Sequence, residues 1–490
     1  MPSSPTLLRD AHHHSTLPPP PNAPASAPIL RLPTELLLAI LARCVTDNPW
    51  DDEAPIAILM KAQWLALSAV CSHWHSVIMG TPTIWADICV WAIPTREDAL
   101  SVELVQRALL RAGNTPLRVN IDVAQTYDAQ TGRPIRRQIF AFLSMSSARW
   151  RALSLRVDPL QLSLELTPIR GKLPLLERLE LARGSNANDR TFFAGCDLFE
   201  FAPALRSLTF EDIPPRVAWH QLKEVRMKIT SGYHGHFHKA VYTALAFIEH
   251  CSALCSVVVW GITPPYHQDQ EQLDDWPTTP LFKSPIRSLS LATFSRNDAQ
   301  ARLAGRLLRL LDLPNLAEFK LESTFPAVNY WDPAAFTAFA HRSPNMTVLH
   351  LRNVYISTPA LLQALSQVPL LEDIAAGDTH LQTSYHFAIT DEVLRGLLEP
   401  GLSLVPNLRR LEITSFLQFD YGLLLEVLRQ RVQSPVTAGG AFVFCAVVLA
   451  MTKDEVDYGE RANEGRLRLE RELRDGCVEG LRFTVDADVL

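Results

Sequence analysis

Apolar residues return along this 490-residue chain in a phrase of the form Pro-x-Leu-x-x-Leu-x-Leu. The clearest copy is Pro174-Leu175-Leu176-Glu177-Arg178-Leu179-Glu180-Leu181, and others span 203–210, 314–321, 344–351, 369–376 and 406–413. Looser copies without the Pro end at Leu155, Met227, Val259 and Leu291. The last apolar positions, 155, 181, 210, 227, 259, 291, 321, 351, 376 and 413, lie 26, 29, 17, 32, 32, 30, 30, 25 and 37 residues apart. Within each phrase the apolar residues alternate at the strand period of two, whereas the stretches before several copies carry helical spacing and a cap. Thr358-Pro359 opens 360–367, and Thr390-Asp391-Glu392 opens 393–399. Each unit therefore predicts helix, Pro-marked turn, strand. Such a unit cannot bury its apolar face alone, so the units stack into an α/β solenoid, a curved parallel sheet with outer helices. An open α/β sheet is the alternative fold, although it has no need of a returning phrase.

Upstream the period changes. Residues 29–41 place Pro33 at a helix start, Glu35 in its first turn and Leu36, Ile40 and Leu41 at helical spacing. A second helix is predicted over 64–79, with Leu67, Val70, Cys71, Trp74 and Ile78 in register and Gly80 as its stop, followed by Pro82 and Trp85 in a turn with an aromatic anchor. A helix over 101–111 and a strand over 117–123 follow. Near the C-terminus, the apolar run 441–451 reads as a buried strand, well short of the ~20 residues that cross a bilayer as a helix. The charged helix 457–475 reads as the cap of the last repeat, and 481–485 as a strand. The divisions are a Pro/His-rich disordered tail (1–28), an all-helical domain (29–90), a connecting helix and first strand unit (91–147), and a solenoid with its cap (148–490).

Composition narrows the function. There are 73 Leu, 35 Pro and only 20 Gly, as a Leu-based repeat requires, and 52 acids against 46 bases give a net charge of −6. A chain of that sign is not built to neutralise phosphates, so neither nucleic acid nor a membrane is the expected partner. Eight scattered cysteines without a CxxC pair favour a reducing compartment, the cytoplasm or nucleus, and the N-terminus carries no secretory signal.

Three blocks in order, Leu32-Pro33-Thr34-Glu35, Val70-Cys71-Ser72-His73-Trp74 and Pro82-Thr83-Ile84-Trp85, resemble the F-box, a small helical motif. An acidic, Pro-containing insertion at 45–60 lengthens its inter-helix loop, at a closure cost that grows only logarithmically. The repeats resemble degenerate leucine-rich repeats that lack the usual closing Asn or Cys, and the combination is similar to fungal F-box proteins. That resemblance implies a substrate receptor of a Skp-cullin-F-box ubiquitin ligase. Leu32, Pro33, Glu35, Leu36, Ile40, Val70, Cys71, Trp74, Pro82 and Trp85 would then dock a Skp-type adaptor and, through it, a cullin. The physical alternative is a helical cap that buries this face within the same chain.

Strand alternation places Arg178, Glu180, Arg226, Lys228, Glu318, Lys320, His350, Arg352, Arg410 and Glu412 on the face opposite the inner leucines, a candidate surface for an unidentified protein target. His234, His236 and His238 would share one side of a strand as metal ligands, but neighbouring Gly and the lack of a nearby acid or Cys favour a surface cluster. Cys251 and Cys255 read as half-buried thiols, and Arg133-Pro134-Ile135-Arg136-Arg137 as a solvated basic loop. No phosphate loop, nucleophile elbow or zinc-protease helix occurs. The expectation is therefore a non-catalytic protein without metal or cofactor. A scaffold unconnected with ubiquitination is the runner-up, and a metal enzyme using the His-rich segment a distant third.

Overall fold

In the computed structural model the described residues are 29, 32–44, 62–91, 98–122, 133–157, 165–183, 196–212, 214–230, 241–242, 245–263, 280–293, 303–323, 329–381, 384–398, 404–433, 442–448, 458–475 and 481–487. The tail 1–28, the insertion 45–60 and His234, His236 and His238 lie outside them. Two compact units divide the chain, one ending at Ile84 and one beginning at Trp85.

The first unit holds α1 (Thr34–Cys44), α2 (Ala62–Ser68), α3 (Ser72–Met79) and most of the short α4 (Pro82–Trp85). The single helix expected over 64–79 is broken at 69–71. Cys71 is extended (φ −160°, ψ 164°) and caps α3, its Sγ accepting from the Trp74 N–H at 3.5 Å, and the Ser68 hydroxyl donates back to the Leu65 carbonyl at 2.7 Å. Side chains that compete for backbone hydrogen bonds end a helix even where the apolar period continues.

The second unit is built on one sheet of fourteen strands, every neighbouring pair in it parallel, beside three two-stranded sheets. The strands are β1 (Asp87–Trp91), β2 (Leu117–Asp122), β3 (Trp150–Val157), β4 (Arg178–Arg183), β5 (Ser207–Glu211), β6 (Glu224–Thr230), β7 (Ser256–Thr263), β8 (Ser288–Thr293), β9 (Glu318–Ser323), β10 (Val348–Arg352), β11 (Asp373–Gly377), β12 (Arg410–Ser415), β13 (Phe442–Val448) and β14 (Leu481–Ala487). Spatial order equals chain order from β1 to β14. A doubly wound sheet would reverse at a switch point. The absence of any reversal makes this the topology of a solenoid.

The recurring phrases are in register. Leu153, Leu179, Leu208, Val225, Val257, Leu289, Phe319, Leu349, Ile374, Leu411 and Phe444 form one buried ladder across successive strands. Leu155, Leu181, Phe210, Met227, Val259, Leu291 and Leu321 form part of the next. Each strand buries its residues against the neighbouring strands' equivalents and the helices outside, so no unit is stable alone.

Outer helices α5 (Asp98–Arg111), α6 (Arg133–Met145), α7 (Leu303–Leu310), α8 (Pro333–Arg342), α9 (Thr358–Ser366), α10 (Asp391–Leu398), α11 (Tyr421–Val432) and α12 (Tyr458–Asp475) cover the ladder side. Leu361 and Leu365 of α9 and Val393, Leu394 and Leu397 of α10, for example, meet Ile374, Ala376, Leu411 and Ile413. Three expectations are corrected. The basic run at 133–137 opens α6 rather than forming a loop. The charged C-terminal helix does not close the stack. With Leu469 and Leu473 buried, α12 lies against β13 and β14 as the outer helix of one more unit. Finally, helix does not precede every strand: the 17-residue interval ending at Met227 leaves room between β5 and β6 only for the 3-10 turn Trp219–Gln221.

Candidate interaction surfaces

In the first unit, α1 carries apolar residues on two adjoining stripes. Leu37 and Leu41 are sealed in its core with Ile78 of α3, while Leu36 (55% exposed) and Ile40 (42%) are open. Leu65 of α2 and Val70 (62%), in the break before α3, are also exposed, and Pro33, Glu35 and Pro82 lie at the surface. Leu32, Cys71 and Trp74 are half-buried. Trp85 is 4% exposed, with the Arg111 guanidinium 4.5 Å from its ring centroid, and belongs to the core of the second unit. Reading 64–79 as one helix hid Leu65, because a continuous period assigned the outward positions differently.

The stripe on α1 thus leaves apolar surface open beside a sealed core. Residues 29–91 match the F-box-like family model. No curated protein matches the chain. A crystal structure of a Bacteroides fragilis protein is similar over 62% of this chain and 82% of that chain, at 12% identity and a TM-score of 0.26. The F-box-like segment thus supplies the three sequence blocks and the exposed stripe together.

On the sheet of the second unit, the ten charged positions alternate with the buried ladder as expected, but the second half of this face is neutralised from within. Lys320 pairs with Glu318 at 2.6 Å on one strand, and His350 Nε2 lies 3.1 Å from Asp373 on the next. Arg352 reaches across two strands to Glu412 at 2.6 Å, and Arg410 meets the other oxygen of Glu412 at 2.9 Å. His350 and Glu412 are only 6% and 9% exposed. Arg226 pairs with Glu224, and Lys228 with Glu211. Burial pushes the Glu318 carboxyl upward, yet hydrogen bonds from Lys320 and Ser288 outweigh it and hold its pKa below the ordinary value. Residues two apart on one strand, or on strands one or two steps away, satisfy one another.

Cys251 and Cys255 are fully buried free thiols, and the hydrogen bond between them and burial raise the Cys251 pKa. Among the described residues no three His, Cys, Asp or Glu side chains are grouped to hold a metal ion, and no helix is long and apolar enough to cross a membrane.

Proposed function

We propose that this chain is the substrate-recognition subunit of a Skp-cullin-F-box type ubiquitin ligase, working in the cytoplasm or nucleus. The carrying observation is the set of exposed apolar residues Leu36, Ile40, Leu65 and Val70 within the segment that matches the F-box-like family. Burying such a side chain fully contributes roughly 1.5–3 kcal/mol, so the exposed part of each is a favourable contribution set against the cost of association. The repeats, in this reading a degenerate leucine-rich solenoid, hold a protein target near the transfer machinery. The contribution to catalysis is effective concentration, so no residue of the chain forms a bond with the substrate.

The test is co-purification of the full chain with a Skp-type adaptor and a cullin. The double variant Leu36→Asp, Ile40→Asp places charges only on exposed positions. It is expected to abolish adaptor capture while leaving the unfolding transition of the repeats unchanged. Capture that survives this variant would remove the docking role of α1.

A further inference from the structure

The basic side chains of this chain are almost all of one kind. Of the 46, 38 are arginine and only 8 are lysine, at positions 61, 172, 223, 228, 239, 283, 320 and 453. Lysine is ordinarily among the commonest residues. None occurs over 62–171 or over 321–452, so β1 to β3 and β10 to β13 carry no side-chain amine. Geometry requires a guanidinium at some positions: Arg342 and Arg431 each bridge two backbone carbonyls, which a single ammonium does not reproduce. At others it does not. Exposed Arg107 and Arg395 each make one ion pair with the acid four residues earlier, Glu103 and Asp391, a helical pairing that lysine serves as well. Arg287 and Arg471 are exposed and have no side-chain partner among the described residues. Two of the lysines are themselves engaged, Lys228 with Glu211 at 3.0 Å and Lys320 with Glu318 at 2.6 Å. Among the described residues, Lys172, Lys223 and Lys283 are exposed, all in segments that lead into β4, β6 and β8.

We infer that this chain escapes ubiquitination by the ligase it serves, because arginine carries positive charge at exposed positions where lysine would accept the modifier. The inference rests on the proposed role as substrate receptor. In that role ubiquitin arrives as the thioester of a carrier enzyme. An unprotonated lysine Nζ attacks the thioester carbonyl, an isopeptide C–N bond forms, the C–S bond breaks, and the carrier thiol leaves with the proton of the amine. A guanidinium is delocalised and stays protonated, so it offers no lone pair for that attack. A receptor is held at the transfer machinery for as long as the complex lasts, and its own amines are therefore presented at an effective concentration comparable with those of its target. Discrimination between the two requires removal of the competing acceptor, while solubility and ion pairing require that the charge stay. Arginine at positions such as 107, 287, 395 and 471 meets both demands.

The experiment assembles the full chain with a Skp-type adaptor and a cullin and supplies ubiquitin as the carrier thioester. Wild type is compared with the combined variant Arg107→Lys, Arg287→Lys, Arg395→Lys, Arg471→Lys and with the four matching Arg→Gln changes, all in the second unit. Discharge of the thioester to free lysine in solution reports an active assembly. The lysine variant is expected to ubiquitinate itself roughly five-fold or more faster than wild type, with discharge to free lysine and the unfolding transition unchanged. The glutamine variant, which gains no amine, is expected to keep the wild-type rate. Equal self-modification of wild type and the lysine variant, the result if arginine were only a compositional habit, would overturn the inference. So would an equal rise in the glutamine variant, which would point to loosened structure as the cause. Failure of the chain to assemble, with no discharge to free lysine, would instead remove the receptor role itself and this inference with it.

Discussion

Asp378 is the most enclosed carboxylate among the described residues, 1% exposed at the end of β11. One oxygen accepts from the backbone N–H groups of Ala388 and Ile389 at 2.7 and 2.9 Å, the other from the Ser415 hydroxyl and the Phe416 N–H at 2.7 and 3.0 Å. It thereby ties the segment before α10 to the end of β12. Burial raises its pKa against the pull of these four donors. A folded-state pKa above the unfolded value means that this group's stabilisation is greatest below the ordinary Asp range, about 3.9, and declines as pH rises from there to the shifted value. The stability difference between wild type and Asp378→Asn, followed by urea unfolding against pH, is expected to vary across that window and to level off above it. Asp378→Ala leaves three buried N–H groups unpaired and is expected to cost about 3 kcal/mol or more. Nothing in the local sequence Ala-Ala-Gly-Asp marks this residue, because its partners lie 10 to 38 residues away.

Between helices, one device recurs. Arg149, just after α6, donates to the Thr115 carbonyl beyond the end of α5. Arg342 in the last turn of α8 reaches the Leu308 and Leu311 carbonyls at the end of α7, and Arg431 at the end of α11 reaches Leu397 of α10 and Val405. All three join residues 34 apart, one repeat in length, and burial lowers the pKa of each arginine. The planar fork satisfies helix-end carbonyls that have no intrahelical donor. Arg342→Met and Arg431→Met are each expected to lower stability by about 1.5–3 kcal/mol, read as a shifted denaturation midpoint at constant slope. Lys in place of Arg should recover only part, as a point donor cannot bridge two carbonyls. Packing between helix and strand rests on contacts such as Phe319 of β9 against Phe336 and Phe339 of α8. Phe319→Ala is expected to cost about 3–5 kcal/mol. Among the outer helices, α5, α9, α10 and α12 were visible in the 3.6 period and, for α9 and α10, in the starts at Thr358-Pro359 and Thr390-Asp391-Glu392, whereas the start of α6 reads as a loop. The break at Cys71 was not visible, since an apolar period runs straight through it.

For the whole molecule, nearest-neighbour stacking means that each strand is covered by the next. Removing residues 458–487 takes away α12 and β14 and leaves β13 unpaired on one edge, with Phe442 and Phe444 no longer sealed. Light scattering of that truncation is expected to report aggregation. A monomer as stable as the full chain would show that β13 needs no neighbour. The strand phrases, their spacing near thirty residues and the three N-terminal blocks were fixed by the order of side chains alone, because periodicity and turn chemistry are local properties. The parallel register across fourteen strands follows from them, since only one alignment keeps every apolar row buried. Tertiary structure decided the rest: which charges on the sheet face cancel, which of the apolar helix residues stay open, and where a short repeat leaves the outer layer thin. Those outcomes depend on distances between side chains brought together from separate repeats, and a linear pattern holds no record of such distances.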